Sequence, residues 1–313
     1  MRVVSIGECM VEFLRQDDGL WRQGFAGDSL NVAWALRALM PAQDHVDYMT
    51  RTGTDALSDA MVQMFRDAGI GTGFVDRDER GTVGLYTIQT DAAGERSFSY
   101  WRSDSAARGL AASAARIDAA LAGADLVYVS GITLAILPEA DREGLRQRLG
   151  ARGQRPFRLA FDPNMRPRLW PDMDTARRSV SALTAIADIV LPTQQDEALA
   201  FGDSDARMTR ARYAAMGVPE VVVKNGEHPT LWADPDGEGE IPVPRTGRVI
   251  DTTGAGDSFN GAYLAARLAG QDCPSAVARA QAVAACVIGE RGALIAPERL
   301  GAAFRAPIPD KAR

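Results

Sequence analysis

Histidine and cysteine are both scarce in this chain of 313 residues, which has two histidines and three cysteines. The cysteines, Cys9, Cys273 and Cys286, lie far apart, and none belongs to a C-x-x-C pair. An odd number of isolated cysteines disfavours both a disulfide framework and a zinc site. We expect the histidines, His45 and His228, to be surface or structural residues. The chemistry of this protein should therefore depend on other side chains.

The sequence also lacks long apolar segments and an excess of basic residues. The first apolar run, Arg2–Ile6, is too short for a signal peptide, and Ala282–Ile288 is far too short to span a bilayer. The formal net charge is −6, which argues against a general nucleic-acid surface. These features predict a cytoplasmic protein that binds neither membranes nor nucleic acids.

Two common phosphate-binding loops are missing as well. The pattern G-x-x-x-x-G-K-[ST] does not occur, and Phe259 stands where G-x-G-x-x-G requires its third glycine. The chain instead contains the stretch Asp251–Leu264, in which a turn of small residues leads directly into a helical pattern. Gly254 and Gly256 allow a tight bend and a close approach of the backbone to a ligand. The first N–H groups of this helix would then form an anion site.

Asp257 lies at the mouth of this predicted anion site. A carboxylate at that position can accept the proton of a hydroxyl group that attacks a phosphoryl group. The same residue could instead be a simple helix N-cap, which is a common use of aspartate. The local pattern alone does not decide between these two interpretations.

Segments typical of strands alternate with helical patterns along most of the chain. The predicted strands are 2–6, 45–50, 126–130, 157–162, 189–191 and 220–224, followed by a late hairpin over 229–233 and 241–244. The predicted helices are 32–40, 56–68, 138–150, 174–187, 204–216 and 276–288. This alternation predicts an α/β fold with a doubly wound, mostly parallel sheet, helices on both faces and a site at the carboxyl ends of the strands. We treat 1–313 as one domain with a frayed tail over 305–313.

Two hairpin patterns fall outside this alternation. The first covers 10–25 with a turn at Asp17-Asp18-Gly19, and the second joins 82–90 to 95–101 through a turn at 91–94. They predict a small separate sheet whose strands come from about 10–27 and 82–103. Because such a small sheet needs support on one face, pairing with a second subunit is physically reasonable.

The segment Asp251–Phe259, Asp-Thr-Thr-Gly-Ala-Gly-Asp-Ser-Phe, resembles the C-terminal signature of the ribokinase-like (PfkB) sugar kinases. The resemblance implies that Gly254, Ala255 and Gly256 form the anion hole and that Asp257 is the catalytic base. It also implies a ribokinase-like fold, ATP with Mg²⁺, and a small sheet that acts as a lid over the sugar. Because lids of this family often pair between subunits, we expect a homo-oligomer, a dimer or larger.

The resemblance extends to Gly27, Asp28 and Asn31, where members of the family bind the hydroxyl groups of the sugar. Most members have a further glycine just before this segment, whereas this chain has Ala26. If position 26 requires a positive φ, the loop must differ from that of its relatives. Without the resemblance, Asp28 would be interpreted as a helix cap.

Two further segments, 97–102 and 160–170, each place an arginine near the end of a predicted strand. Arginine suits carboxylates because its planar group can donate two parallel hydrogen bonds. With the N-terminal Gly-Glu-Cys-Met-Val-Glu, they resemble the 2-keto-3-deoxygluconate kinases, over essentially residues 1–300. The resemblance implies that a keto acid is bound by Tyr86, Tyr100, Arg102, Asn164 and Arg166. Alternatively, Tyr100 could belong to the core of the lid.

The nucleotide side of the predicted site has less specific motifs. Lys224-Asn225-Gly226 resembles the Lys-x-Gly of the family, so Lys224 and Gly226 are expected at ATP, although an ordinary exit from a strand explains the tripeptide equally well. Thr193-Gln194-Gln195-Asp196 stands where the family has Asn-x-x-Glu. The resemblance therefore implies that Thr193 lies near ATP and that Asp196 holds Mg²⁺ through water.

The turn at the start of the Asp251–Leu264 stretch is also expected to contact ATP, through Thr253, Gly254 and Gly256. Asp251 and Thr253 also lie where relatives bind a monovalent cation, which implies K⁺ as a further ion. This inference depends on the resemblance alone.

These resemblances predict a sugar-acid kinase that uses ATP to phosphorylate the terminal hydroxyl of 2-keto-3-deoxygluconate, giving 2-keto-3-deoxy-6-phosphogluconate. Two alternatives stay open. The protein could be a kinase of another sugar, such as fructose or a 5-dehydro-2-deoxygluconate-like compound. It could also be a non-catalytic protein that binds a sugar acid or a nucleotide.

Overall fold

The computed structural model describes residues 1–90, 96–150, 153–244 and 247–307. The strands are β1 (Arg2–Ile6), β2 (Met10–Arg15), β3 (Trp21–Ala26), β4 (His45–Gly53), β5 (Val75–Asp78), β6 (Leu85–Thr90), β7 (Arg96–Trp101), β8 (Leu126–Ser130), β9 (Arg158–Asp162), β10 (Ile189–Val190), β11 (Glu220–Val223), β12 (Thr230–Asp234) and β13 (Gly237–Ile241). The α-helices are α1 (Asp28–Leu39), α2 (Ala56–Asp67), α3 (Ala114–Leu121), α4 (Gly131–Ile136), α5 (Glu139–Leu149), α6 (Met173–Thr184), α7 (Gln194–Phe201), α8 (Ala206–Ala215), α9 (Ala255–Leu268), α10 (Cys273–Ile288) and α11 (Pro297–Arg305).

A nine-stranded sheet forms the centre of the described structure, in the order β13-β12-β11-β10-β9-β8-β1-β4-β5. All neighbouring strands from β5 to β11 pair in parallel, whereas β12 and β13 run antiparallel at one edge. The chain passes from β1 outward to β4 and β5, and then returns to β8 on the other side of β1. This reversal opens a crevice at the carboxyl ends of β1 and β8, which is where open α/β sheets bind ligands.

Helices cover both faces of this sheet. Neighbouring residues of β1 point to opposite faces: Val4 joins the core beneath α3 to α8, and Val3 joins the core beneath α1, α2 and α9 to α11. Both valines are fully buried. Burial on both faces explains why the central strands are continuous apolar runs instead of alternating patterns. The predicted doubly wound α/β fold is confirmed.

A second sheet, in the order β3-β2-β6-β7, is built from the two predicted hairpins and is called the lid sheet below. The turn between β2 and β3 lies at residues 17–19 as predicted, whereas the predicted turn at 91–94 lies outside the described residues. Ala26 is the last residue of β3, opposite Met10, and does not have a positive φ. The condition for a different loop, a positive φ at position 26, is therefore not met, because the residue lies in an extended strand that accepts alanine.

Some boundaries differ from the sequence-based predictions. The second strand of the late hairpin was predicted at 241–244, and this position is wrong. Asp234 pairs with Gly237 across a tight turn, so β13 begins at Gly237. Helix α1 begins at Asp28 instead of residue 32, since Gly27 is its N-cap and accepts a 2.7 Å hydrogen bond from the N–H of Asn31. The elements β5, α3, α4, α7 and α11 have no counterpart among the predicted elements.

The structure also bears on the predictions about membrane spans, cysteines and the C-terminal tail. Across the described ranges, no helix is long and apolar enough to cross a membrane. Cys9, Cys273 and Cys286 are all free thiols. Arg305 still belongs to α11, so the predicted frayed tail does not begin there, and residues 308–313 lie outside the described residues.

Candidate active site

Polar side chains follow the carboxyl edge of the nine-stranded sheet. Glu8 comes just after β1, Ser130 ends β8, Asp162 ends β9, Thr193 comes after β10 and Lys224 follows β11. Since these strands are neighbours in the sheet, the residues form one polar row across the crevice. Helices α1 and α9 both contact this row through hydrogen bonds. We take this crevice as the candidate active site.

Asp257 lies in the first turn of α9, behind a left-handed turn at Gly254. Gly254 is the N-cap residue, with φ 73°, and no side chain caps this helix. The interpretation of Asp257 as a simple N-cap is therefore wrong. Its Oδ2 atom instead accepts a 2.8 Å hydrogen bond from Nδ2 of Asn31 in α1. Two residues predicted separately as parts of the site, 226 positions apart, are thus in contact.

Gly254→Ala should distort this turn and strongly destabilise the protein. Alanine disfavours φ 73°, and an added Cβ would also lie 2.8 Å from the Cβ of Ala293. Gly270→Ala is the matched control, because Gly270 has φ 80° but open space around it. We expect the control to lose about 1–2 kcal/mol of unfolding free energy in urea titrations, and Gly254→Ala to lose clearly more. Equal losses would contradict the close packing of the turn.

The electrostatic environment of Asp257 suits a proton acceptor. Burial raises the pKa of its carboxyl group to about 7, and the negative charges of Asp28 and Asp162 act in the same direction. The hydrogen bond from Asn31 and the positive charge of Lys224 oppose this rise in pKa. A carboxyl group with a pKa near neutrality can take up and release a proton at physiological pH.

A second long-range contact joins Asp28 of α1 to Asn164. The Oδ2 atom of Asp28 accepts a 2.8 Å hydrogen bond from Nδ2 of Asn164, and the hydroxyl group of Ser130 donates to the same atom. Asn164 has φ 35°, and it is the one residue other than glycine with a positive φ among those described. Burial raises the pKa of Asp28, and the hydrogen bond from Ser130 opposes that rise. The predicted sugar-binding amide and carboxylate therefore lie together.

The lid sheet contributes two tyrosines, Tyr86 of β6 and Tyr100 of β7, which face each other across the strands. Their rings stack with centroids 5.7 Å apart. Tyr86 is buried and donates its hydroxyl hydrogen to Glu12 of β2. Tyr100 is 50% exposed. The ring of Tyr100 also stacks on that of Phe98, with centroids 6.3 Å apart, so Tyr100 is a half-exposed member of an aromatic cluster.

Arg102 follows β7 and connects the lid sheet to the main sheet. Its guanidinium group forms an ion pair with Glu8, which is almost fully buried. Burial raises the pKa of Glu8, and the charge of Arg102 opposes that rise. The Nε atom of Arg102 is buried and has no hydrogen-bond partner within the described part of the chain. Within that part of the chain, Arg102 therefore keeps one N–H donor unsatisfied beside its ion pair with Glu8.

Arg166 and Asp196 are neighbours where the predicted sugar and nucleotide sides meet. Nη1 of Arg166 lies 3.1 Å from Oδ2 of Asp196, which is in the first turn of α7. Although burial works against the charge of Arg166, the carboxylates of Asp196 and Asp162 raise its pKa. Burial also raises the pKa of Asp196. Because 49% of the Arg166 side chain is exposed, its guanidinium group remains accessible to a ligand.

The predicted ATP-binding loops meet around the starts of α7 and α9. The N–H group of Gln194 donates to the carbonyl of Lys224 at 2.9 Å, and Thr193 is the N-cap of α7 without a side-chain cap bond. Gly226 has φ 60°, as a tight turn after β11 requires. A Cβ added at Gly256 would lie 3.8 Å from Nζ of Lys224, so the turn before α9 faces the same place. Two helix N-termini that face one region favour phosphate binding there.

The ammonium group of Lys224 itself points into the protein. Nζ lies 2.6 Å from Oδ2 of Asp162 and 3.0 Å from Oδ1 of Asn260. Nδ2 of Asn260 donates to the same Asp162 oxygen at 2.6 Å and to the hydroxyl of Tyr128 at 3.3 Å. These contacts occupy Lys224 within the core, and its contact with ATP stays a prediction.

The predicted ion sites have few ligands. The carboxylate oxygens of Asp251 accept the N–H groups of Thr253 at 2.8 Å and of Gly292 at 2.6 Å. In the described part of the chain, no three His, Cys, Asp or Glu side chains are grouped so that they could hold a metal ion. Asp196 alone nevertheless fits Mg²⁺, since Mg²⁺ at phosphate sites keeps several waters and needs only one or two carboxylates.

Sequence reasoning missed Glu8, Ser130, Asp162 and Asn260 as residues of the site. Ser130 and Asp162 are the last residues of buried strands, so their position at the ligand-binding edge was a usable signal. Asn260 follows Asp257 by three residues and therefore lies on the same side of the helix. Glu8 also follows a buried strand, β1, and so carried the same signal, although its partner Arg102 is 94 positions away.

The sequence model of the pfkB family carbohydrate kinases matches residues 1–299, which include the lid strands, the polar row and the Asp257 turn. The chain belongs to this family. Two curated relatives in the family are named 2-dehydro-3-deoxygluconokinase. The one from Dickeya dadantii is 39% identical over 307 residues, 96% of this chain and 98% of the relative. The one from Escherichia coli K12 is 38% identical over 308 residues, 96% of this chain and 99% of the relative.

Solved structures share the fold of this pfkB-family chain. A fructokinase from Vibrio cholerae O395, in a form with fructose, ADP and potassium, has a TM-score of 0.82 at 23% identity, covering 95% of this chain and 94% of that chain. A fructokinase from Xylella fastidiosa with bound ATP has a TM-score of 0.80 at 23% identity, covering 93% of each chain. These similarities confirm the ribokinase-like fold.

Proposed function

We propose that this pfkB-family protein is a 2-keto-3-deoxygluconate kinase, which transfers the γ-phosphoryl group of ATP to the terminal hydroxyl of the keto acid. The observation that carries the proposal is the contact between Asn31 and Asp257, because it puts a carboxylate with a pKa near 7 beside the sugar loop and at the start of α9. The relatives named 2-dehydro-3-deoxygluconokinase support the same substrate, since that name denotes the same keto acid. The product is 2-keto-3-deoxy-6-phosphogluconate.

In the proposed reaction, Asp257 accepts the proton of the terminal hydroxyl as that oxygen attacks the γ-phosphorus. The new O–P bond forms while the bond between the γ-phosphorus and the bridging oxygen of ADP breaks. Backbone N–H groups of the Gly254–Asp257 turn, including those around Ala255 and Gly256, stabilise the charge on the phosphoryl oxygens. Asn31 holds the carboxylate in position. Bound Mg²⁺, which Asp196 would hold through water, neutralises part of the phosphate charge.

The substrate is recognised on two sides. Asp28, Asn31 and Asn164, with the Gly27 backbone, bind its hydroxyl groups at the crevice. Arg102 and Arg166 bind its carboxylate, and the lid tyrosines Tyr86 and Tyr100 cover it. The net charge of −6 supports this division, because an acidic protein needs locally placed arginines to attract an anionic sugar. Closure of the lid excludes water and limits wasteful ATP hydrolysis.

On the nucleotide side, we propose that Thr193, Gly226, Thr253 and the turn after it contact ATP, and that Asp251 lies near a K⁺ site. The left-handed turn at Gly226 and the two helix N-termini beside it support this placement.

We also propose that the lid sheet pairs with the lid of a second copy. Four of its aromatic side chains are exposed: Trp21 at 43%, Phe98 at 39%, Tyr100 at 50% and Trp101 at 61%. The strand register puts Trp21 and Trp101 on one face of the sheet and Phe98 and Tyr100 on the other, and exposed aromatic side chains of this kind favour association. Light scattering of the purified protein measures its molar mass in solution, which we expect to be at least that of a dimer.

ADP release with Mg-ATP tests the proposed function, using 2-keto-3-deoxygluconate, its galactonate epimer, fructose and ribose as substrates. We expect turnover only with the keto acids, because only they carry the carboxylate that Arg102 and Arg166 bind. Turnover confined to the neutral sugars would keep Asp257 as the base but remove both arginines from the substrate site. Ligand-induced stabilisation without ADP formation would support a binding protein instead.

A further inference from the structure

Lys224 is a lysine that the protein surrounds with polar partners instead of exposing it to solvent. It is 9% exposed, and lysine is rarely buried to this extent unless it is paired. Its partners, Asp162 and Asn260, also contact each other, so the three side chains form a closed triangle at 2.6, 3.0 and 2.6 Å. The triangle joins the ends of β9 and β11 to helix α9.

This triangle touches both halves of the reaction site. Asn260 is one helical turn after Asp257, so a contact that fixes Asn260 also fixes the start of α9. On the other side, Oδ1 of Asp162 accepts a 3.0 Å hydrogen bond from the N–H group of Asn164. That bond stabilises the left-handed conformation in which Asn164 reaches Asp28.

The triangle also affects the charge balance around Asp257. Asp28 and Asn31 face Asp257 from α1, Tyr128 faces it from β8, Asp162 from β9 and Lys224 from the end of β11. Two carboxylates near Asp257 disfavour its ionised form, whereas a neighbouring ammonium group favours it. A base must be ionised to accept a proton, so the positive charge matters for the reaction.

We propose that Lys224 is a positioning residue for phosphoryl transfer: it holds Asp162 and Asn260 against α9 and keeps Asp257 ionised beside two other carboxylates. This role goes beyond the ATP contact that the sequence predicts for Lys224. It rests on the proposed function, in which Asp257 is the base.

The test compares the pH dependence of kcat/KM for the keto acid in four proteins: wild type, Lys224→Met, Asp162→Asn and the variant with both substitutions. We expect the acidic limb of Lys224→Met to move to higher pH, because the positive charge of Lys224 lowers the pKa of Asp257. Because the wild-type pKa is about 7, a shift of one unit lowers kcat/KM at pH 7 about fivefold, and about tenfold well below pH 7. Asp162→Asn should move the limb to lower pH, and the double variant should return it towards that of wild type.

Arg155→Met is the matched control. Arg155 forms a similarly buried ion pair with Asp188, 2.5 Å apart, before the amino end of β10 and away from the crevice. Its loss should lower the thermal unfolding temperature without moving the acidic limb. If Lys224→Met does not fold, the double variant compared with Asp162→Asn isolates the charge of Lys224, because it leaves no unpaired buried carboxylate.

Two results would overturn the inference. An unchanged acidic limb with a raised KM for ATP would make Lys224 a nucleotide contact, as the sequence predicts. An equal loss at every pH, with a thermal shift like that of Arg155→Met, would make it a purely structural residue. NMR titration of the Asp257 carboxyl carbon, in wild type and in Lys224→Met, measures the same charge effect without turnover. It therefore separates a failure of this inference from a failure of the proposed function.

Discussion

Asp257→Asn should lower kcat by about 10²–10⁴-fold, which is the usual contribution of a positioned general base. The variant should still bind ATP and the keto acid with nearly unchanged affinity, measured by calorimetry. Asparagine can keep the contact with Nδ2 of Asn31 through its carbonyl oxygen, so the packing at the start of α9 is preserved. Only the ability to accept the proton is lost.

The stability of this variant should also reveal the cost of the ionised carboxylate. The folded-state pKa of Asp257, about 7, lies above its ordinary value of 3.8, so the folded protein favours the protonated form. Above the ordinary pKa, the charged group therefore destabilises the fold, and the neutral amide removes this cost. At pH 8, thermal unfolding of Asp257→Asn should occur at or above the temperature of wild type.

Asp141→Asn is the matched control for this experiment. Asp141 is the third residue of α5, as Asp257 is the third residue of α9, so both substitutions remove a carboxylate from the same position in a helix. The control should keep full activity, because α5 lies away from the crevice. Retained turnover in Asp257→Asn, at a level similar to the control, would rule out Asp257 as the base.

Arg166→Ala should raise the KM for the keto acid by roughly 10- to 150-fold, which corresponds to the ~1.5–3 kcal/mol of a hydrogen bond to a charged group. The same variant should change the KM for the carboxamide of the substrate only slightly, since the amide has no negative charge. Because the Arg166 side chain is 49% exposed, its truncation should not unfold the protein. The KM for ATP should be measured in parallel, since Asp196 loses its partner as well.

Arg168→Ala separates this effect from a general loss of positive charge. Arg168 is an exposed residue of the turn that directly follows Arg166. We expect its loss to leave both KM values near those of wild type. Equal effects of Arg166→Ala on the keto acid and its amide would exclude Arg166 from the carboxylate site.

Most elements of the α/β scaffold could be predicted because their signals are local. β1, β8, β9 and β11 are short apolar runs, and α10 is a continuous helical pattern, so each is visible within one window of sequence. The failures also have local causes. The strand β13 contains two glycines and two glutamates in five residues, which hides its extended conformation. Helix α7 follows its strand too closely to show a separate pattern.

The candidate site was predictable as a set of residues but not as an arrangement. The predicted turn at 91–94 pairs Thr90 with Glu95, and therefore Tyr86 with Ser99. The structure instead pairs Thr90 with Arg96 and Tyr86 with Tyr100, and a shift of one residue moves a side chain to the other face of the sheet. The contacts of Asn31 with Asp257 and of Asp28 with Asn164 span 226 and 136 positions. No local pattern indicates contacts of that range.

The amino-acid sequence alone determined the family, the α/β alternation, the lid hairpins and the Gly254–Asp257 turn, since each is carried by neighbouring residues. Only the tertiary structure decided which of these residues meet. The order of the strands places the ends of β1, β8, β9 and β11 in one row, and this order arises from the crossovers that pack both faces of the sheet. Lys224 illustrates the difference. Its sequence motif predicts a contact with ATP, whereas in the fold it pairs with Asp162. Asp162 ends β9, which lies two strands away from β11 in the sheet, and no local pattern shows this neighbourhood.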